Sequence, residues 1–236
     1  LLLIVLFAGL GTWQVVRLQW KLALIARVDS RVHADPVAPP QAARWAQVSQ
    51  QNDEYRHVRL AGTYLYEYTA PVQALSELGS GYWLLTPLCM ADGSIVLVNR
   101  GFVPAEQGAP KDYPAHRAQG AVCPSSGPQA TLTGLLRISE PGGGFLRHND
   151  PATNHWYSRD VHAIAASRAL PNVAPYFVDA ARGQDPADAP DHPIGGLTVI
   201  SFPNSHLVYA ITWYALALMV AGAMWWAARR QPGEEE

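Results

Sequence analysis

Charge is scarce in this sequence. Asp, Glu, Lys and Arg make up 15% of its 236 residues, against roughly 25% in an average soluble domain. With 49% of residues apolar, a disordered or charge-driven chain is excluded. Neither sign dominates: 17 basic residues face 19 acidic ones, and three of the acids are the last three residues. The basic excess that a nucleic-acid footprint needs is missing. Cysteine is nearly absent. Cys89 and Cys123 are too few for a disulfide framework or a multi-cysteine zinc site. They allow one disulfide or two unrelated thiols. Common catalytic signatures are lacking too. There is no G-x-S-x-G, no Walker A loop and no H-E-x-x-H, so nothing points to an enzyme. Without C-x-x-C-H, a covalent c-type haem is excluded.

What the chain has instead is two long uncharged runs. Residues 1–16 (LLLIVLFAGLGTWQVV) carry no charge. As a helix they reach about 24 Å, short of the roughly 30 Å hydrocarbon core. The chain does not begin with Met, and upstream residues are expected to complete the span. No A-x-A-like cleavage site follows, which favours a retained anchor over a cleaved signal peptide. Trp13, Gln14, Arg17, Trp20 and Lys21 read as an interfacial border. The second run, Leu207–Ala228, has 22 residues without a charge, enough to cross a bilayer. Trp225-Trp226 and then Arg229-Arg230 close it as an aromatic belt and basic stop. A soluble core helix seldom runs this far without a polar face. The expected layout is a first span over 1–16, an extramembrane domain over 17–205, a second span over 206–228 and a tail over 229–236. Two spans put both termini on one side. Charge does not say which, because Arg229-Arg230 oppose Arg17, Lys21, Arg27 and Arg31, and loops this long translocate largely regardless of charge. Small residues at Ala8 and Thr12, and at Ala217 and Ala221, offer close helix contact.

The middle is strand-rich, an α+β domain. Residues 17–33 continue the first helix until the proline-rich 34–41 stops it. Tyr55–Tyr68 alternates apolar and polar, with Gly62 marking a bulge or close backbone approach. Tyr82–Met90 and Ser94–Val103 read as a hairpin turning at Asp92-Gly93. Residues 104–128 are a Pro/Gly loop. Gln129–Ile138, Tyr176–Ala180 and Leu197–Phe202 complete the strands. Asp160 is placed to cap a short helix reading VHAIAASRAL. Residues 182–196 form another loop.

Three features draw attention as chemistry. Gly142-Gly143-Gly144 lacks the helix start that a phosphate site needs and reads as a turn. His148, His155 and His162 recur every seven residues, but Pro151 interrupts them and they read as surface histidines. His206 differs, because an ionisable side chain at a membrane-helix entrance is a functional candidate by default. Tyr209, Ala210 and Trp213 follow at helical spacing. An imidazole is a good axial ligand for haem iron, and adjacent aromatics with a small residue would accept a porphyrin edge. Capping of the helix, or anchoring at the head groups, accounts for the same spacing.

The sequence resembles the surfeit locus protein 1 family along nearly its whole length. The resemblance starts with Gly11-Thr12-Trp13-Gln14, Arg17 and Trp20-Lys21. It continues through Tyr55-Arg56 with Gly62, Val98-Asn99-Arg100-Gly101-Phe102-Val103-Pro104 and Asn149-Asp150-Pro151. Asn154-His155-Trp156 with Arg159-Asp160 follows. Pro193-Ile194-Gly195-Gly196, then Asn204, His206-Leu207, Tyr209 and Thr212-Trp213-Tyr214, complete it. Ser205 departs from the Asn or Glu of many members. The resemblance implies a membrane hairpin with both ends in the cytoplasm, or mitochondrial matrix, and the domain in the periplasm, or intermembrane space. It implies a non-enzymatic assembly factor of haem–copper cytochrome c oxidase that binds haem a transiently, with His206 as iron ligand and Tyr209 and Trp213 beside it. Expected partners are the oxidase catalytic subunit, haem A synthase and membrane lipid. Arg17, Trp20 and Lys21 fall at the same interface by topology and are candidates for propionate contacts. The arginine-heavy basic set, with two lysines, points to a bacterial inner membrane. A cofactor-free scaffold for oxidase subunits, and an anchored periplasmic enzyme, are the competing readings.

Overall fold

The computed structural model describes residues 1–107, 113, 116–124, 127–144, 146–198, 200 and 202–230. They form two compact units, one drawn from Leu1–Asp29 and Ile200–Glu236, the other from Ser30–Val199.

The first unit is helical. Helix α1 (Leu2–Val32) runs unbroken through Arg17, as its apolar spacing predicts. The tail helix of this unit spans His206–Arg230. Both are long and apolar enough to cross a bilayer, and only 6% and 11% of their most apolar stretches are buried. That exposure excludes core helices of a soluble domain, which would be mostly buried. Arg229 lies 3.9 Å over the Trp225 ring and Arg230 3.7 Å over Trp226, joining the aromatic belt and basic stop into one feature. Tail residues 231–236 lie outside the described residues.

The second unit is a strand-rich domain. A 3-10 helix (Ala42–Gln47) leads to a helical turn, α2 (Gln50–Asp53), whose cap Ser49 accepts from the Asn52 N–H. Strands β1 (His57–Tyr64), β2 (Ala70–Ser76), β3 (Gly79–Met90) and β4 (Ile95–Pro104) follow. Then come β5 (Ala130–Ile138), helix α3 (Val161–Arg168) and β6 (Val173–Ala180); the tail helix above is α4. The sheet order is β1-β5-β6-β4-β3-β2, and β1 also pairs with β3, which closes the sheet into a barrel-like ring. All pairings are antiparallel except β4 with β6. β1 and β2 lie end to end along one edge of β3, at Tyr64↔Leu88 and Ala70↔Leu85.

Alternation of side chains along the strands builds two cores. Val58, Leu60, Val96, Val98, Leu132, Leu136, Tyr176 and Val178 fill one. Leu97 and Phe177, on the opposite face of their strands, join Trp156, Val161 and Ile164 in the other, beneath α3. Burial on both faces explains why β4 opens with an unbroken apolar run, Ile95–Val98, in place of an alternating pattern. Gly62 is a close approach, as its position suggests: a Cβ there would come within 2.3 Å of the Cys89 carbonyl oxygen. The hairpin turns at Asp92-Gly93 as expected, with Gly93 at φ +78° and Asp92 Oδ1 accepting from the Ser94 N–H and hydroxyl. Those bonds to Ser94 hold the Asp92 carboxyl below its usual range. Asp160 caps α3 by accepting from the Ala163 N–H.

Two expectations fail. Leu197–Phe202 is not a strand: residues 197, 198, 200 and 202 are irregular, and 199 and 201 lie outside the described residues. β6 already has β5 on one side and β4 on the other, leaving no edge for it there. The expected strand Tyr55–Tyr68 ends at Tyr64, in a 3-10 turn at Tyr66–Tyr68, and β2 follows it unpredicted. Pro71 demotes that segment in sequence, but an edge strand tolerates proline. The 104–128 loop is described except at 108–112, 114–115 and 125–126.

Cys89 and Cys123 form a disulfide, Cα atoms 5.7 Å apart, across 34 residues of chain. It ties the loop to the end of β3. Closing a loop of this length stabilises the folded state by about 3–4 kcal/mol in the chain-entropy view. The double variant Cys89→Ser/Cys123→Ser should lower chemical-unfolding stability of the detergent-solubilised chain by that amount. Added reductant should destabilise the wild type and leave the variant unmoved.

Candidate functional site

The helical unit holds the sequence's main candidate. His206 is the first residue of α4, and its Nδ1 lies 2.8 Å from Gln14 Oε1 on α1. The imidazole is therefore turned to the other helix. Its Nε2 has no partner among the described residues.

Other contacts fix how α1 and α4 pair. Phe7 stacks on Trp213 with ring centroids 5.7 Å apart. Thr12 Oγ1 lies 2.9 Å from Tyr214 Oη, and Lys21 Nζ sits 5.2 Å over the Phe202 ring. From Phe7–Trp213 through Gln14–His206 to Lys21–Phe202 the partner numbers fall as positions on α1 rise, so the two run antiparallel. Gly11 is buried at this contact: a Cβ there would stand 2.9 Å from the Tyr214 ring. The expected small-residue contact is thus real but centred differently. Thr12 is exposed and donates to the Ala8 carbonyl, while Gly11 provides the close approach and Ala210 and Ala217 are buried on α4.

The remaining predicted residues divide. Ala210 faces inward, Trp213 is engaged by Phe7, and Tyr209 is 53% exposed. Arg17 lies between two rings, 5.8 Å from Trp13 and 5.3 Å from Trp20. Neither Arg17 nor Lys21 has a carboxylate partner among the described residues. Gln14 reads in the sequence as part of the interfacial border and of the family motif, and its role as partner of His206 is what sequence reasoning missed. An isolated polar side chain within an apolar run was the available signal.

The domain has a second polar centre, built on β4, β5 and β6. Asp179 is 4% exposed. Its Oδ1 accepts from Asn99 Nδ2 at 2.8 Å and Arg159 Nη1 at 3.3 Å, its Oδ2 from Arg137 Nη1 and Thr198 Oγ1 at 2.9 Å each. Glu54 and Glu140 complete the charges on Arg137 and Arg159. Burial works against the Arg137 charge, but Asp179 and Glu54 outweigh it and hold its pKa above the ordinary value. These groups border a cleft of about 400 Å³ that Trp83, Glu77 and Arg182 also line. Arg100, 1% exposed, pairs with Asp185 through two 2.7 Å bonds and lies 4.8 Å over Tyr66. Asn99, Arg100 and Arg159, which belong to the motifs quoted above, are therefore architectural here. His148, His155 and His162 are all exposed, and no group of three metal-ligating side chains occurs among the described residues.

A closed strand domain joined to a pair of antiparallel apolar helices, one headed by a histidine, defines a membrane-hairpin protein. The family model described as "SURF1 family" matches residues 1–218. The human Surfeit locus protein 1 is 36% identical over 226 residues, covering 89% of this chain and 69% of its own length. The rat protein of that name is 36% identical, covering 95% and 73%. A SURF1-like protein from Monosiga brevicollis is 34% identical, covering 95% and 84%. The chain belongs to the SURF1 family.

Two substitutions test this geometry. Gly11→Leu should lower the thermal midpoint of the solubilised protein by several degrees, whereas Gly9→Leu, with nothing within 4 Å of its Cβ, should not. Asp179→Ala should cost about 3–5 kcal/mol in unfolding experiments, because two guanidinium groups lose a buried counter-charge. Thr198→Val, which removes one hydroxyl donor, should cost about 1 kcal/mol.

Proposed function

We propose that this chain is a non-catalytic assembly factor for haem–copper cytochrome c oxidase, holding haem a transiently through His206 and delivering it to the catalytic subunit. The observation that carries this reading is the His206 imidazole, fixed at one nitrogen by Gln14 and uncommitted at the other, at the head of a membrane helix. The donor set fits an iron porphyrin. A neutral imidazole supplies an axial nitrogen. Tyr209 offers an exposed aromatic face three residues on. Arg17 and Lys21 lie about one and two turns along α1 from Gln14, the latter about 10 Å away. Unpaired with carboxylates, they suit anionic propionates, and the apolar helix surface suits the farnesyl tail. One protein ligand, easily exchanged, suits a carrier that must let go. Haem A synthase is the class of enzyme that would supply the cargo.

The disulfide supports the expected orientation. Such bonds persist in oxidising compartments, so Cys89–Cys123 fits a domain in the periplasm, or intermembrane space, with both termini on the opposite side of the membrane.

Purified from cells that make haem A, the wild-type chain should show a haem a absorption spectrum, and His206→Ala should lose most of it. A haem-free wild type favours the cofactor-free scaffold. A variant that keeps its haem removes His206 as the ligand.

A further inference from the structure

We infer that Gln14 is a positioning residue that sets the tautomer of His206 and so makes Nε2 the nitrogen free to bind iron; this rests on the haem reading above. A neutral imidazole carries one hydrogen, and the nitrogen facing an acceptor keeps it. Gln14 Oε1 stands 2.8 Å from Nδ1. The hydrogen therefore sits on Nδ1, and Nε2 keeps its lone pair. Within apolar helices few other groups compete for this bond.

The chemistry of the partner matters as much as its position. Histidine ligands are commonly oriented by a carboxylate or a carbonyl at the second nitrogen, and the acceptor raises their basicity. A carboxylate pulls hardest on the proton and makes the strongest ligand. An amide oxygen orients the ring equally well with a weaker pull. Gln14 thus gives a defined ligand without a tenacious one, as cargo release requires. It also makes the ligand a joint property of two helices. Gln14 lies three residues from Gly11, against which the Tyr214 ring of α4 packs, so the tautomer is held only while the helices are paired.

The experiment reads the tautomer before any haem is added. The full chain, labelled with 15N-histidine and kept in detergent at a pH where the imidazole is neutral, is studied by NMR. The His206 signal is identified by its loss in His206→Ala. Protonation at Nδ1 is expected. Gln14→Leu should shift the population toward Nε2–H and weaken binding of added haem a about tenfold. Gln14→Glu should restore Nδ1–H and bind more tightly than wild type. A Gln14 that only glues helices would move the thermal midpoint and leave both tautomer and haem spectrum unchanged. Nε2–H in the wild type, or unchanged tautomer and affinity in Gln14→Leu, overturns the inference. If haem a binds His206→Ala as well as wild type, the assignment of His206 as its ligand fails instead, whatever the tautomer.

Discussion

The pairing of the two membrane helices depends on a side chain that is missing. At Gly11 the Tyr214 ring lies so close that even a Cβ would collide with it. Lipid gives helices no hydrophobic reason to associate, so close packing and polar pairs must hold them. Gly11 supplies the first, and the Thr12–Tyr214 and Gln14–His206 pairs supply the second. All three positions fall within four residues of α1. The register they impose brings an amide to the histidine at the head of α4.

The domain solves a different problem. It buries charge and must neutralise it. Asp179 meets two arginines, a threonine and an asparagine, and Arg100 meets Asp185. For Arg100, Asp185 outweighs the cost of burial and holds the pKa above the ordinary value. Arg168 shows the other outcome. It is fully buried, its partners among the described residues are the Thr69 and Asn154 oxygens, and burial draws its pKa below the ordinary value. The polar cleft beside Asp179 is walled by groups largely committed to each other. This is why the functional reading rests on the helical unit.

Much of this architecture was legible in the sequence. Both spans, the β3–β4 hairpin, β5, β6 and the cap on α3 follow from local rules of periodicity and turn chemistry. What failed was non-local. Leu197–Phe202 has strand composition but no edge to join. β2 has a proline that only its edge position excuses. Closure of β1 onto β3 was invisible, because pairing partners far apart in sequence leave no local mark. His206 stood out as an ionisable residue at a membrane threshold. Gln14 did not, because its partner lies 192 residues away. The pairing of Cys89 with Cys123 was likewise undecided until the fold brought β3 and the loop together.

The closed sheet constrains how the domain can meet another protein. β1 is flanked by β5 and β3, and β4 and β6 are interior to the ring. The outer side of β2 is met at its centre, where the Gln73 N–H donates to the Trp156 carbonyl. Among the described residues, no long run of free backbone groups is left for an incoming strand, which closes one route of peptide capture, sheet extension. The same closure keeps two copies of the domain from zipping together edge to edge, so a protein crowded onto a membrane surface is protected from the commonest way in which strand-rich domains aggregate.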